Sequence, residues 1–436
     1  MAAEIVMYMV GLLVVLVLLG FHIAVALAMT SVLGIYLMMG SFDVAVSLLG
    51  SSAYEAIRSH TFIVIPLFVL MGDFVSKSGA AGDLYQVCNR LLRRVSGRLA
   101  VATVAGNAIF AAVTGVSVAS AAAFSRIAYP EMRRLGYQRE YAVGVVAGSA
   151  CLGMLIPPSV LLIVWAILTE ASVGKLFIAG VLPGIILAIM FAAYCVVHAR
   201  MRPDVAPNPP AAEDITPLAR GEIFGALGIF ALVVLVIGGL WGGVFNPTEA
   251  AGFGTIGALV LGVAKGMRGR EVMQAIYSAA RTTGPIMLLL IAATMYSRLL
   301  AMGGAVNYIQ NLFFGLGGGT IVIVAVMIII WIILGMLIDS ISIILLTVPI
   351  FAPIALALGL DSTAFAIFGI LVIEAGLLTP PFGLVVYTVK GAVPDPSVKL
   401  KHVFKGSFPF CVMILIAALL VILFPQLATW LPSVTF

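Results

Sequence analysis

The sequence predicts an all-α polytopic membrane protein, on the basis of its composition, its apolar runs and an internal repeat. Of its 436 residues, 63% are hydrophobic and only 9% are charged, and the mean hydropathy is +1.21. A soluble domain carries about 25% charged residues and could not bury that much apolar surface. Apolar runs approaching the roughly 20 residues that cross hydrocarbon recur along the chain, for example at 5–20, 225–241, 321–337 and 408–424.

Neither an enzyme nor a nucleic-acid-binding protein is indicated by the polar residues. The four cysteines and four histidines are far apart and show no metal-ligand or catalytic spacing. The net charge of +5 comes from lysines and arginines in short loops between apolar runs, which is how membrane topology is encoded. We therefore expect no catalytic residue, no cofactor and no nucleic-acid partner.

An internal repeat relates the two halves of the chain. Superimposing Pro157-Pro158 on Pro380-Pro381 gives a shift of 380 − 157 = 223 residues. The same ungapped shift pairs identical residues at four further places: Gly153 with Gly376, Gly136 with Gly359, Pro130 with Pro353 and Ser117 with Ser340. The predicted halves are residues 1–199 and 223–436, joined by a proline-rich cytoplasmic linker at 200–222.

Each half contains a segment that predicts a re-entrant hairpin, at about residues 100–130 and 321–353. Non-helical backbone at mid-membrane depth is stable only where protein or a water-filled cavity satisfies its polar groups. The polar residues at the two predicted tips are Thr114, Gly115, Ser117 and Ser120 in the first half and Asp339, Ser340 and Ser342 in the second.

Asp339, Glu374 and Arg126 are charged residues that lie within predicted membrane segments. An ionised carboxylate at membrane depth costs several kcal/mol unless it is paired or ion-bound. Asp339 therefore predicts a functional site, the alternative being that it caps the turn of a shallower hairpin. Glu374 is expected to be a partner in that site or a proton site, and Arg126 either extends to the cytoplasmic face or lies near a ligand.

Arginine and lysine predict that the second half is inverted. Arginines flank the first hairpin on both sides, at Arg90, Arg93, Arg94 and Arg98 before it and at Arg133, Arg134 and Arg139 after it. Both its ends should therefore be cytoplasmic, whereas no Lys or Arg occurs between Arg298 and Lys390, so the second hairpin should end outside. About five spans plus one hairpin per half fit this topology, and inverted repeats are typical of alternating-access carriers.

Each Pro-Pro pair interrupts an apolar span, at residues 141–169 and 363–389. Two consecutive prolines break a helix and free backbone carbonyls, which suit a hard cation, while half-helix N-termini suit an anion. The sequence therefore predicts a secondary transporter whose site lies where the hairpin tips and the broken helices meet.

Five motifs resemble those of the large membrane subunit, the DctM-like subunit, of tripartite ATP-independent periplasmic (TRAP) transporters. They are TGVSVASAAAFSRIAYPEMRRLGY, GMLIPPSVLLIVWAILTEASVGKLFIAGVLPG, NPTEAAGFGTIGAL, MLIDSISIILLTVPIFAPIALALGLD and EAGLLTPPFGLVVYTVKGAVPD. The resemblance covers nearly the whole chain except the linker. It departs at the first tip, where the family usually reads close to SGSS and this chain has Thr114 to Ser117.

The resemblance implies sodium-coupled uptake of an organic acid, such as a C4-dicarboxylate or a sialic acid, across a bacterial inner membrane. It implies an elevator mechanism with a scaffold and a transport domain. It also implies two partners, a small four-helix membrane subunit and a periplasmic substrate-binding protein. The alternative is a stand-alone sodium- or proton-coupled anion symporter of the same fold.

By the same resemblance, the site residues fall into two sets. The implied sodium ligands are Ser117, Ser120, Gly153, Ile156, Pro157, Asp339, Ser340, Gly376 and Thr379. The implied substrate-binding residues are Thr114, Ser117, Ser159, Ser340 and Arg126.

Overall fold

The computed structural model describes residues 2–58, 60–207, 218–304, 308–309 and 319–435, and these ranges contain helices and no strand. This confirms the predicted all-α fold class. Residues 208–217, the middle part of the predicted linker at 200–222, lie outside the described residues, as do 305–307 and 310–318.

The helices are numbered along the chain. Those of the first half are α1 Ala2–Leu18, α2 Ile23–Met39, α3 Phe42–Arg58, α4 Val64–Lys77, α5 Ala80–Leu91, α6 Arg98–Thr114, α7 Ser117–Arg134, α8 Arg139–Ala150, α9 Val160–Thr169 and α10 Val173–Met201. Those of the second half are α11 Arg220–Trp241, α12 Pro247–Ala264, α13 Gly269–Met302, α14 Gly319–Gly335, α15 Ser340–Ala357, α16 Ser362–Gly376, α17 Leu384–Ala392, α18 Leu400–Leu423 and α19 Gln426–Thr435.

Several helices begin after a residue whose side chain caps the helix. Asn246 Oδ1 accepts hydrogen bonds from the backbone N–H groups of Thr248 and Glu249. The Glu249 carboxylate accepts one from the Asn246 N–H, so α12 starts with a capping box. Asp361 caps α16 in a similar way, through the N–H groups of residues 363 and 364. These caps satisfy N–H groups that have no partner inside the helix.

Two helix pairs occupy the segments predicted as hairpins. α6 and α7 are separated only by Gly115, whose φ is +62°, and by Val116, which is extended. α14 and α15 are separated by residues 336–339. The helix after each turn has 18 residues and begins at Ser117 or Ser340, which are 340 − 117 = 223 positions apart. That the pairs are re-entrant and related by inversion stays a prediction.

A break follows each of these helix pairs. α8 passes into a 3₁₀ turn at Cys151–Met154 and then through Pro157-Pro158 to α9. α16 ends at Gly376, and the chain passes through Pro380-Pro381 before α17 begins. Both Pro-Pro peptide bonds are cis. The chain is therefore non-helical beside both proline pairs.

Within the described ranges, six helices are long and apolar enough to cross a membrane, namely α10, α11, α12, α13, α15 and α18. α3 and α4 together form one further candidate span, bent by 63°. Six long apolar helices and the composition define a multi-pass membrane protein. The number of spans in each half stays a prediction, since α15 is long enough to cross although it was predicted to be a hairpin arm.

The two halves pack closely where α8 crosses α18. Gly144 and Gly406 face each other there, and a Cβ on Gly144 would overlap the backbone of Gly406. Small residues let helix backbones approach in this way within membranes. Lys405 on α18 adds an ion pair of 2.9 Å with Glu140 on α8.

A polar cluster joins α7 and α8 to the loop that follows α17. Tyr129 on α7 donates a hydrogen bond of 2.6 Å to Asp395, and Arg139 lies 3.5 Å from the same carboxylate. Hydrogen bonds from Ser397 and Tyr129 hold the pKa of Asp395 well below its usual range. The first half therefore contacts the second at the ends of these helices as well as along α8.

Candidate functional site

Glu374 joins the two helix pairs at one carboxyl group. Ser117, the first residue of α7, donates a hydrogen bond of 2.6 Å to Oε2. Ser340, the first residue of α15, donates one of 3.0 Å to Oε1. Glu374 itself is only 2% exposed. The turns of both predicted hairpins therefore meet at a buried acidic side chain.

The surroundings of Glu374 favour negative charge without supplying a counter-ion. Its carboxyl group lies at the N-termini of α7 and α15, where backbone N–H groups carry partial positive charge. No ion pair among the described residues includes Glu374. A buried carboxylate without a cation is costly, so this site requires either a proton or a bound cation.

The predicted shift of 223 residues pairs Cys151 with Glu374, since 374 − 151 = 223. Its thiol lies 3.9 Å from the backbone oxygen of Glu374. The shift that pairs Ser117 with Ser340 thus also pairs the two residues at the centre of the site. The residue types differ, and only the second half contributes a carboxyl group.

Glycines allow the non-helical segment beside each Pro-Pro pair to pack near the turn between the paired helices of the same half. A Cβ on Gly153 would lie 3.1 Å from the backbone nitrogen of Ser117, and one on Gly376 would lie 2.9 Å from the Cα of Gly335. Backbone hydrogen bonds connect the same segments, from Val160 N–H to Gly115 O at 3.2 Å and from Phe382 N–H to Met336 O at 3.3 Å. A larger residue at either glycine would push the non-helical segment away from the neighbouring turn.

The residues implied as sodium ligands in the first half lie around this arrangement. Ser117 bonds Glu374, and Gly153 lies against Ser117. Ser120 is buried, with its hydroxyl 3.4 Å from that of Thr114. Ile156 and Pro157 follow in the non-helical break, and the Ile156 N–H donates to Leu152 O. The structure therefore brings this set together, while sodium binding by it stays a prediction.

In the second half, Asp339 acts as a helix cap. It precedes α15 and accepts hydrogen bonds from the backbone N–H and the hydroxyl group of Ser342, and it is half-buried. This is the capping role that the sequence left open as an alternative. Ser340 follows as the first residue of α15, while Gly376 and Thr379 lie at the break, where the Thr379 hydroxyl donates to Gly376 O at 2.6 Å.

The serine hydroxyl groups implied in substrate binding are already used inside the protein. Ser117 and Ser340 donate to Glu374, while Ser159 donates to Met154 O and caps α9. Thr114 donates to Phe110 O and lies beside a cavity. Arg126 lines the same cavity, so these two residues are the implied substrate ligands with open space beside them.

Two cavities flank the helix pairs. The α4–α7 cavity, of about 480 Å³, reaches the first turn at Thr114 and Val116 and extends along α7 to Arg126. The α13–α15 cavity, of about 600 Å³, meets α15 only from Val348 onward. Val348 is 348 − 340 = 8 residues past Ser340, which is about 12 Å along a helix. Of these two cavities, only the α4–α7 cavity has described lining residues at a turn between two paired helices.

Sequence reasoning missed two features of this region. It did not identify Asp73, which lines the α4–α7 cavity, although an acidic residue within the apolar segment 64–77 was a visible signal. It treated Glu374 as a possible partner and not as the centre. The pairing of Cys151 with Glu374 under the shift of 223 could have indicated that centre.

The fold is similar to that of a solved membrane protein structure. The solved structure of the YdaH transporter from Alcanivorax borkumensis superimposes with a TM-score of 0.61 over 89% of each chain, at 13% sequence identity. At that identity the likeness shows the fold alone.

The family follows from sequence. The family model described as "Tripartite ATP-independent periplasmic transporter, DctM component" matches residues 10–427. The ectoine TRAP transporter large permease protein TeaC of Halomonas elongata is 32% identical, covering 98% of this chain and 99% of its own length. The C4-dicarboxylate TRAP transporter large permease protein DctM of Pseudomonas aeruginosa is 31% identical over 87% of this chain and 88% of its own.

The chain belongs to the DctM family and is a large permease subunit of a TRAP transporter. The resemblance seen in the sequence is thereby confirmed, and a transporter permease agrees with the expectation that the protein is not an enzyme.

Replacement of Glu374 by Ala tests the central contact. The substitution leaves two buried serine hydroxyl groups without an acceptor, and each unsatisfied group costs about 1–3 kcal/mol. We expect a clear fall in the unfolding temperature of the purified protein. The control is Glu131→Ala, which removes only an exposed contact with Arg134. Equal unfolding temperatures for the two variants would show that the Glu374 bonds do not hold the turns.

Proposed function

We propose that the protein carries out sodium-coupled uptake of an organic acid across the bacterial inner membrane. A periplasmic substrate-binding protein delivers the acid, and a small four-helix membrane subunit completes the transporter. The observation that carries this proposal is the Glu374 carboxyl group, buried without a counter-ion at the point where both turns meet. Family membership supports the tripartite assembly.

Sodium suits the atoms around this centre. Carboxylate, hydroxyl and backbone carbonyl oxygens are hard ligands, which suit sodium. The non-helical segments beside the Pro-Pro pairs supply backbone carbonyl groups that lie outside helices. One sodium is proposed between the first turn and the Gly153 break, and another between Asp339, Ser340 and the Gly376 break. Bound cations offset the cost of placing a substrate carboxylate in a low-dielectric site. Each net positive charge moved inward gains about 2.3 kcal/mol per 100 mV.

The names of the relatives support an acidic substrate. One relative is named for ectoine and another for C4-dicarboxylates, and both kinds of molecule carry a carboxylate group. Thr114 and Arg126 are the implied substrate ligands that line open space. We assign the substrate carboxylate to this side of the first turn.

The α4–α7 cavity supports an inward-open conformation. It leads from the first turn along α7, whose last residues Arg133 and Arg134 belong to the end predicted to be cytoplasmic. In the proposed elevator mechanism, the two helix pairs and the broken helices form the transport domain. α4 and α13 belong to the scaffold along which this domain moves.

The proposed role of Asp339 is tested by a substitution that keeps its cap. Asparagine caps a helix about as well as aspartate, so Asp339→Asn removes the charge and keeps one side-chain oxygen that can accept from the Ser342 N–H. We expect a rise of at least tenfold in the sodium concentration that half-saturates uptake. Uptake is measured in proteoliposomes containing the small subunit and the cognate binding protein.

The matched control is Asp361→Asn, which changes the cap of the neighbouring helix α16. It should leave the sodium response unchanged. Equal sodium responses in both variants would show that Asp339 does not bind sodium. Uptake by the wild type in the absence of sodium would refute the proposed sodium coupling. Uptake that needs no binding protein would favour the stand-alone symporter.

The predicted inversion is tested by labelling cysteines in the two cavities. Ala119 lies in the α4–α7 cavity and Ala352 in the α13–α15 cavity, and the four natural cysteines are buried. We expect a membrane-impermeant maleimide to label Ala119→Cys from the cytoplasmic side and Ala352→Cys from the outer side. Labelling of both from one side would contradict the inverted arrangement.

A further inference from the structure

The α4–α7 cavity places an acidic and a basic side chain on different helices. Asp73 belongs to α4 and Arg126 to α7, and both line the same space of about 480 Å³. They form no ion pair with each other within 4.0 Å. The two charges therefore face a common cavity while remaining apart.

Asp73 has an atom that lacks a partner. Its Oδ2 is buried and, within the described residues, accepts no hydrogen bond. Ser278 and Lys77 lie near the same carboxyl group and yet leave this oxygen unsatisfied. A buried polar atom without a partner costs free energy that a suitable ligand would recover.

Arg126 also lacks a partner within the part of the chain that the structure describes. The side chain is exposed, and among the described residues it makes no hydrogen bond or ion pair. A helical side chain tends to lean toward the N-terminus of its helix, which for Arg126 is the direction of the first turn. Guanidinium binds a carboxylate through two parallel hydrogen bonds.

The walls between these groups leave room for a small molecule. They consist largely of residues with small side chains: Gly72, Gly79, Gly82, Ala119, Ala122 and Ala123. Gly72 packs against Thr114, where a Cβ would lie 2.9 Å from the Thr114 Cα. Asp73 is thus next in the chain to a residue that packs against the first turn, whereas Arg126 lies farther along α7.

We propose that this cavity binds a zwitterion, with its carboxylate on Arg126 and its cationic group on Asp73. The inference rests on the proposed function, because it names the substrate class of the same site. A dicarboxylate would satisfy Arg126 but would bring a second negative charge toward Asp73. A ligand with one charge of each sign satisfies both side chains.

Binding of small probes to the purified protein tests this inference. The unfolding temperature is measured in sodium-containing buffer with ectoine, glycine betaine and β-alanine as zwitterions, and with succinate and acetate as anions. We expect at least one zwitterion to raise the unfolding temperature of the wild type by more than either anion does. Asp73→Asn and Arg126→Gln should each weaken its binding about tenfold to a hundredfold.

Two variants control for loss of charge elsewhere. Asp43→Asn and Arg134→Gln change exposed residues outside the cavity and should bind the zwitterion like the wild type. Arg126→Lys should recover part of the binding lost in Arg126→Gln. The unfolding temperature without a probe shows whether each variant is folded.

The outcomes decide the proposal in either direction. A larger shift with succinate than with every zwitterion overturns it, as does the absence of a shift with all zwitterions. Zwitterion binding that is unchanged in both Asp73→Asn and Arg126→Gln also overturns it. Because binding is read without transport, failure of sodium coupling would contradict the proposed function and leave this result intact.

Discussion

The carboxyl group of Glu374 accepts one hydrogen bond from each of two helices that start at equivalent positions of the chain. Ser117 and Ser340 reach opposite oxygens of the same group, and the side chain is almost fully buried. Two helix N-termini thereby share one acidic residue, which their partial positive charges stabilise. In the proposed mechanism, a cation that binds at either turn acts on this shared group, so the two sodium sites are coupled through it.

Backbone contacts around Glu374 explain why glycine and proline recur there. The chain is non-helical around the two proline pairs, which leaves the N–H groups of Val160 and Phe382 free to donate to the turns. Gly153 and Gly376 lack the Cβ that would prevent the approach. A turn can move away from its break only by losing these contacts. The two helix pairs and the broken helices are thus suited to move as one unit, as the proposed elevator requires.

The sequence predicted the helical class because apolar length is a local signal, and its two Pro-Pro pairs mark non-helical backbone after α8 and α16. It could not predict which way the hydroxyl groups point. Ser117 and Ser340 were expected at ions or substrate, yet they bond Glu374, a residue 257 positions from Ser117. That contact depends on how the halves pack. Asp73 became significant only when the fold placed it opposite Arg126.

A double-mutant cycle between Ser117→Ala and Ser340→Ala tests most directly whether Glu374 joins the two turns. The free energy of unfolding is measured for both single variants and the double variant, each in the wild-type and the Glu374→Ala background. Residues that share one partner are expected to show non-additive effects. We predict a coupling energy of about 0.5–3 kcal/mol that disappears when Glu374 is replaced. Additive effects of the same size in both backgrounds would contradict the account.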